Sequence, residues 1–188
     1  MNNQLMKYFK VPNHLKKLSI HYLISSMQSR NTNALKFIEF CKQKMDESSC
    51  EEAALATVDQ SDCPLWYELR YARITASKAH EAAHCKTLQG TLTESIMGAT
   101  KLKDTKEMKR GRLLENKVLK KVEQLRKIKI EKCGLKLSSG NPIMGASPDG
   151  LTEDYVIEVK CPSSEKAMSR YIKENQVSLK YKAQLQLQ

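Results

Sequence analysis

Three residues in the C-terminal quarter carry the sharpest chemical signal in the sequence: Asp149, Glu158 and Lys160. The run Tyr155–Lys160, Tyr-Val-Ile-Glu-Val-Lys, predicts a strand. Side chains on a strand alternate, so Glu158 and Lys160 share one face and Ile157 and Val159 the other. Ser147-Pro148-Asp149-Gly150 signals a turn, with a short strand over 143–147 leading into it. Pairing that strand with 155–160 as a hairpin carries Asp149 towards Glu158. Two close carboxylates repel and raise each other's pKa unless a cation sits between them. Their hard oxygens suit Mg²⁺, which takes one or two carboxylates and keeps several waters. Such an ion polarises a phosphoryl oxygen and activates a water. A neighbouring ammonium orients that water and stabilises developing negative charge. The outline is a phosphodiester hydrolysis site, although an exposed Glu158–Lys160 pair on an ordinary hairpin explains the triplet alone more simply.

The element that adds a fourth charge is the clearest helix, predicted over Gly111–Lys127. Leu114, Val118, Val122 and Leu125 recur at three and four residues and define an apolar stripe. Glu115 falls within about 60° of the stripe's centre on one flank, whereas Lys117, Lys120, Lys121 and Lys127 lie on the other side. A carboxylate on a buried side is costly unless it is paired, protonated or metal-bound. The same region holds most of the excess charge. The chain carries +11 in 188 residues, and residues 101–136 contain 14 Lys or Arg against five Asp or Glu. An acidic partner such as nucleic acid follows, with a solvated lysine face as the plain alternative.

Length and composition suit one domain, or one domain with an extension. No apolar run approaches the roughly 20 residues of a membrane span. The start, Met1 to Lys17, lacks the apolar segment of a signal peptide. The expectation is an intracellular protein, nuclear if eukaryotic and otherwise cytoplasmic, with no membrane partner. The six cysteines are dispersed without a CxxC and read as free thiols.

Residues 1–60 read as a helical extension of unknown role. Leu35, Ile38 and Cys41 recur at helical spacing, Asp46–Ser49 reads as a break, and Cys50–Val58 as a second helix. Ser61–Pro64 marks a boundary before Trp66, so 61–188 is read as the second unit. There a helix starts at Leu65, and another follows Thr75, whose hydroxyl is expected to cap it, up to Cys85. Ile128 and Ile130, then Leu135 and Leu137, alternate around Gly134 as a strand or hairpin. Lys166–Tyr171 and Leu179–Gln188 read as helices. Helix, strands, helix predicts an α/β (α+β mixed) fold, a mixed sheet flanked by helices.

Four further stretches sit around these residues. They are Trp66-Tyr67-Glu68-Leu69-Arg70 with Ile74-Thr75-Ala76-Ser77, then Gly111-Arg112-Leu113-Leu114-Glu115-Asn116, then Ser147-Pro148-Asp149-Gly150-Leu151 with Glu158-Val159-Lys160-Cys161-Pro162, and Tyr181-Lys182-Ala183-Gln184-Leu185-Gln186. In this order they resemble the motifs of the phage lambda exonuclease and YqaJ viral recombinase family. The resemblance covers about two thirds of the chain. It implies a PD-(D/E)XK nuclease core and an Mg²⁺-dependent exonuclease, Mn²⁺ serving as a substitute, that works 5′ to 3′ on duplex DNA ends. Asp149 and Glu158 would bind the metal with the Val159 carbonyl, Glu115 would support metal or water, and Lys160 would position the attacking water. Arg70, Thr75, Ser77, Ser147 and Gln184 match positions that surround the DNA end and its 5′-phosphate in relatives. Ring-forming relatives imply a homo-oligomer, and the family a recombination partner protein. Two departures stand out. Ala72 replaces a glycine and Arg73 follows it, so loop geometry or DNA contact is expected to differ there. The chain also stops at Gln188 inside a helix, which reads as a C-terminal truncation.

Two other readings compete. A non-catalytic DNA-binding remnant would keep the fold and the basic face. His80-Glu81-Ala82-Ala83-His84 satisfies the H-E-x-x-H pattern of zinc metalloproteases, with Glu107 available as a third ligand. On a helix after Ile74–Ser77 the nuclease reading needs that segment only for structure.

Overall fold

The computed structural model describes residues 12–28, 33–98 and 105–188. The first 11 residues, and residues 101–104 of the basic window, lie outside the described residues. Among the described residues the first four helices are α1 (Asn13–Lys16), α2 (Ile20–Ser26), α3 (Ala34–Lys44) and α4 (Glu47–Ala56). Three of them start on a side-chain cap. Ser19 accepts from the Tyr22 amide, Asn33 from Lys36 and Asp46 from Ser49. The expected break at Asp46–Ser49 is therefore a cap and a first turn, because a cap aspartate starts a helix rather than interrupting one.

Next come α5 (Pro64–Arg70), β1 (Ile74–Thr75), α6 (Ala79–His84), α7 (Thr91–Ile96) and the long α8 (Lys106–Arg126). Proline in the first turn of α5 costs nothing, since that N–H has no helical partner. Thr75 does not cap the helix that follows it. Ala76–Lys78 forms a 3₁₀ turn without a side-chain cap, and the Thr75 Oγ1 instead lies 3.2 Å from the Ser77 Oγ.

The last third holds β2 (Lys136–Leu137), β3 (Met144–Ala146), β4 (Gly150–Leu151), β5 (Val156–Ile157), α9 (Glu165–Met168), β6 (Ile172–Lys173), β7 (Gln176–Val177) and α10 (Leu179–Leu187). One mixed sheet has the order β1-β3-β2, with β1 parallel and β2 antiparallel to β3. Two-stranded antiparallel ladders join β4 to β5 and β6 to β7. The expected pairing of 143–147 with 155–160 is corrected. The chain turns at Ser147-Pro148-Asp149 and leaves the first sheet, so β5 pairs with its nearest neighbour β4 and β3 is claimed on both edges. The predicted helix over Lys166–Tyr171 shortens to α9. A hairpin takes over, turning at Glu174 and Asn175 with φ of 51° and 61°, the left-handed pair that a two-residue hairpin needs.

The N-terminal helices share one core with α5 and β2. Leu15, Leu18, Ile20, Leu23, Cys41, Met45, Cys50 and Ala53 pack with Leu65, Leu69, Leu135 and Leu137. Thr57, fully buried, fastens α4 to the later chain. Its hydroxyl donates to the Ala53 carbonyl at 2.7 Å and accepts from the Leu135 amide at 2.8 Å. Gly134 makes that approach feasible, since a Cβ there would sit 2.2 Å from the Ala54 carbonyl oxygen.

Arg73 is the polar knot of this core. It is 1% exposed, and its guanidinium donates to the carbonyls of Leu18, Leu69 and Pro142. Those three acceptors come from α1's exit, from α5 and from the loop before β3. Ala72 has a φ of +55°, the left-handed conformation that suits the glycine it replaces rather than a changed one, at a cost to a non-glycine residue of about 1 kcal/mol or more that only neighbouring contacts can enforce. The buried Arg73 fan next to it holds the loop in that conformation.

Candidate active site

The short β4–β5 ladder positions the paired carboxylates. Asp149 stands just before β4, where its amide donates to the Ile157 carbonyl at 3.0 Å. Glu158 stands just after β5. Gly150 lets the turn press against Ile130, whose Cγ2 lies 2.4 Å from where a Cβ would be. The ladder is extended by Glu131, whose amide and carbonyl both bond Leu151 at 2.8 Å. Gln60 braces the approach, donating to the carbonyls of Cys133 and Pro148.

Around that turn the acidic side chains converge. The Asp149 Oδ2 accepts from the Val159 amide at 2.6 Å. The Glu158 Oε1 accepts from Lys160 and, at 2.7 Å, from the Gln184 side chain; its Oε2 accepts from the Gln188 side chain at 2.6 Å. Strand regularity ends at Ile157, yet Glu158 and Lys160 do share a face, as alternation requires. Glu115 arrives from α8. Glu115, Asp149, Glu158, Val159 and Lys160 line one cleft of about 270 Å³ with Arg112. The Lys160 ammonium also lies 5.5 Å from the centre of the Tyr181 ring.

The stripe that faces inward on α8 differs from the one the leucines and valines predict. Leu119 is the buried residue, while Val118 and Leu125 are exposed. Leu119 packs beside Gly150, which rotates the helix so that Glu115, one turn earlier, faces the cleft.

Burial, then the neighbouring Glu158 and Glu115 charges, push the Asp149 carboxyl up to about 7 against the opposing Val159 amide and Lys160. Glu115 is raised too, first by burial and then by Glu158. Carboxylates that resist ionisation together make a place where a cation is stabilising. Among the described residues no three of His, Cys, Asp and Glu close around an ion by themselves. Asp149 and Glu158 with a backbone oxygen and waters still fit Mg²⁺, which keeps much of its hydration and needs only one or two carboxylates.

A second cavity, about 990 Å³, adjoins the first and shares Met108 and Arg112 with it. Arg70, Thr75 and Ser77 line it together. The Arg70 guanidinium sits 3.9 Å over the Trp66 ring, and burial lowers its pKa to about 10. Among the described residues it pairs with neither Glu68 nor Asp62. Glu68 is instead engaged by His21 at 2.9 Å. A desolvated guanidinium beside two hydroxyls can bind an oxyanion.

The remaining two predicted phosphate residues stand elsewhere. Ser147 accepts from the Trp66 indole N–H at 2.9 Å, so it links the cavity wall to the turn that carries Asp149. Gln184, nearly buried, belongs to the carboxylate cleft through Glu158. Sequence reasoning missed Gln188, although its spacing of four from Gln184 puts both on one helix face. It also missed Arg110, which donates to the carbonyls of Cys161 and Pro162 and ties α8 to the chain after Lys160. No local pattern marks that residue among the many basic ones of α8.

The H-E-x-x-H segment is occupied otherwise. Glu81 is held by Lys78 and by Lys180 of α10, each at 2.9 Å. The rings of His80 and His84 stack on one another with centroids 4.3 Å apart, and the His84 Nδ1 lies 2.8 Å from the His80 carbonyl. The glutamate that a metalloprotease would use as a base is thus the anchor between α6 and α10.

A mixed sheet edged by helices, with an acidic cleft and a lysine at a strand end, is the arrangement of PD-(D/E)XK-type nucleases. The model of the YqaJ-like viral recombinase domain matches residues 65–188, and the chain belongs to that family. Its fold is similar to that of the alkaline exonuclease LHK-Exo from Laribacter hongkongensis, with 25% identity, a TM-score of 0.52 and 65% of each chain covered. The same enzyme in complex with dAMP gives a TM-score of 0.54 at the same identity and coverage. The chain thus spans just under two thirds of the length of that exonuclease. No curated protein matches it. Among the described residues no helix is long and apolar enough to cross a membrane.

Proposed function

We propose that this chain is a divalent-metal-dependent DNA exonuclease acting at duplex ends in the 5′ to 3′ direction, in recombination or in viral or transposon DNA processing. The observation that carries the proposal is the adjacency of two unlike cavities. One gathers Glu115, Asp149, Glu158 and Lys160; the other gathers Arg70, Thr75 and Ser77; Arg112 and Met108 belong to both. A phosphate held in the second leaves the chain beyond it running into the first.

Asp149, Glu158 and the Val159 carbonyl would hold Mg²⁺ or Mn²⁺, which when bound lowers the pKa of water and neutralises charge on a phosphoryl oxygen. Lys160, anchored by Glu158 and lying over Tyr181, presents an ammonium that orients a water and offsets the negative charge of the transition state. Gln184 and Gln188 fix the Glu158 carboxylate in one orientation, so it does not have to reorganise as charge develops. Arg70 binds the end phosphate, and Trp66 holds its planar guanidinium in place by stacking.

End-labelled linear duplex incubated with Mg²⁺ or with EDTA, beside a closed circle, tests the reading. The linear form is expected to lose nucleotides only with Mg²⁺, while the circle survives. Lys160→Ala is expected to lose cleavage by about 10²-fold or more while binding DNA as before. Arg70→Ala is expected to narrow the rate difference between 5′-phosphorylated and 5′-hydroxyl ends. Full cleavage by Lys160→Ala, or the absence of any 5′-end preference in the unmutated chain, would overturn the corresponding assignment.

A further inference from the structure

His21 lies in α2, outside the residues that match the family. It nevertheless lines the same cavity as Arg70, Thr75 and Ser77. Its ring stacks on Tyr71, with centroids 3.8 Å apart and planes 18° from parallel. Its Nδ1 lies 2.9 Å from the Glu68 Oε1. A ring held on one face by tyrosine and at one edge by a carboxylate has already given up its rotamer freedom. Its side chain is still 53% exposed, so the face away from Tyr71 is open.

The other rings of the cavity are differently placed. Trp66 carries the Arg70 guanidinium on one face and spends its N–H on Ser147. Tyr67 meets Trp66 edge-on at 88°. Tyr71 is covered by His21. His21, backed by Tyr71, thus presents an ordered aromatic face to a flat ligand, with the exposed Tyr67 as a second ring in the cavity wall. Every nucleobase presents a π face, so such a surface takes any base.

We propose that the His21–Tyr71 pair is a stacking platform for the terminal nucleobase of a DNA end whose phosphate rests on Arg70. This rests on the end-binding reading above and assigns to the N-terminal helices a direct contact with substrate. Glu68 is a positioning residue that holds the imidazole at its edge.

The test uses a 5′-phosphorylated duplex with 2-aminopurine as its terminal base, bound by the full chain in EDTA. Stacking quenches the fluorescence. The unmutated chain is expected to quench it, and His21→Phe, which keeps a flat ring, to do the same. His21→Leu and His21→Ala are expected to leave it bright and to bind roughly tenfold more weakly. Leucine keeps most of the volume and so separates loss of stacking from loss of packing. Quenching and affinity unchanged in both His21→Leu and His21→Ala would overturn the platform, even if Mg²⁺-dependent cleavage is normal. Quenching lost as expected in a chain that fails to cleave with Mg²⁺ would support the platform and sink the nuclease reading instead. A duplex that does not bind at all would overturn both.

Discussion

Asp149 is held at a pKa near 7 by burial and by two other carboxylates, and this has a measurable sign. The unfolded chain releases that proton near pH 4, the folded chain only near 7. Between those values the folded state binds more protons, so stability falls as pH rises through the window and levels off above 7. In EDTA the melting temperature is expected to decline from pH 5 to pH 8 more steeply for the unmutated chain than for Asp149→Asn. Mg²⁺ added at pH 8 is expected to raise it in the former and much less in the latter. At this scale the sequence is most informative about charge. Glu158, Lys160 and Asp149 could be read as one cluster from strand alternation and a turn. Arg73 could not, because its acceptors are backbone carbonyls, two of them 55 and 69 residues away, and backbone groups leave no trace in a residue pattern. Ser147 and Gln184 resemble phosphate ligands by position, yet each has a partner, the Trp66 indole and the Glu158 carboxylate, that only folding reveals.

The elements were legible where a local rule governs them. The start of α5 beside Pro64 and the extent of α10 follow from residue type and spacing, but caps do not: Thr75 caps no helix, and Asp46 starts one where the sequence reads as a break. Strand partners do not, because β3 reads alike whether it pairs with β5 or with β1 and β2. The face of α8 was misread for a related reason. Its leucines and valines outnumber its contacts, and the small Gly150 selects Leu119 as the one to bury. That contact makes a prediction for the β4 turn. Gly150→Ala puts a methyl group 2.4 Å from the Ile130 Cγ2 and is expected to cost about 1–3 kcal/mol in denaturant unfolding. Ile130→Ala in the same chain is expected to recover part of that loss, since it removes the atom in conflict. Failure of the second change to help would mean that the turn, not the contact, is sensitive.

For the whole molecule the question is what counts as the folding unit. The sequence divides at residue 60, but Leu15, Leu18, Ile20 and Leu23 cover Leu65 and Leu69 in one core. Residues 61–188 expressed alone are therefore expected to lack a cooperative thermal transition, which circular dichroism would detect; a sharp transition would make the helices a true appendage. The basic window is a second property of the whole. Lys117, Lys120 and Lys121 are exposed on α8, away from Leu119. If they track the DNA backbone, changing all three to Gln lowers the slope of log K against log salt by up to about 3. An unchanged slope assigns them to solvent. The composition pointed to an anionic partner from the start; only the packing says which lysines are free to meet it.

The fan of bonds from Arg73 also fixes an order of events during synthesis. Its guanidinium needs the carbonyls of Leu18 and Pro142 together, so the N-terminal helices cannot lock until Pro142 has left the ribosome. Until then Leu15, Leu23 and their neighbours lack their final cover. Closing contacts across such separations is intrinsically slow, and partly formed species with open apolar surface aggregate. Expression at low temperature is therefore expected to raise the soluble yield of the unmutated chain, which a comparison of soluble fractions at two temperatures checks.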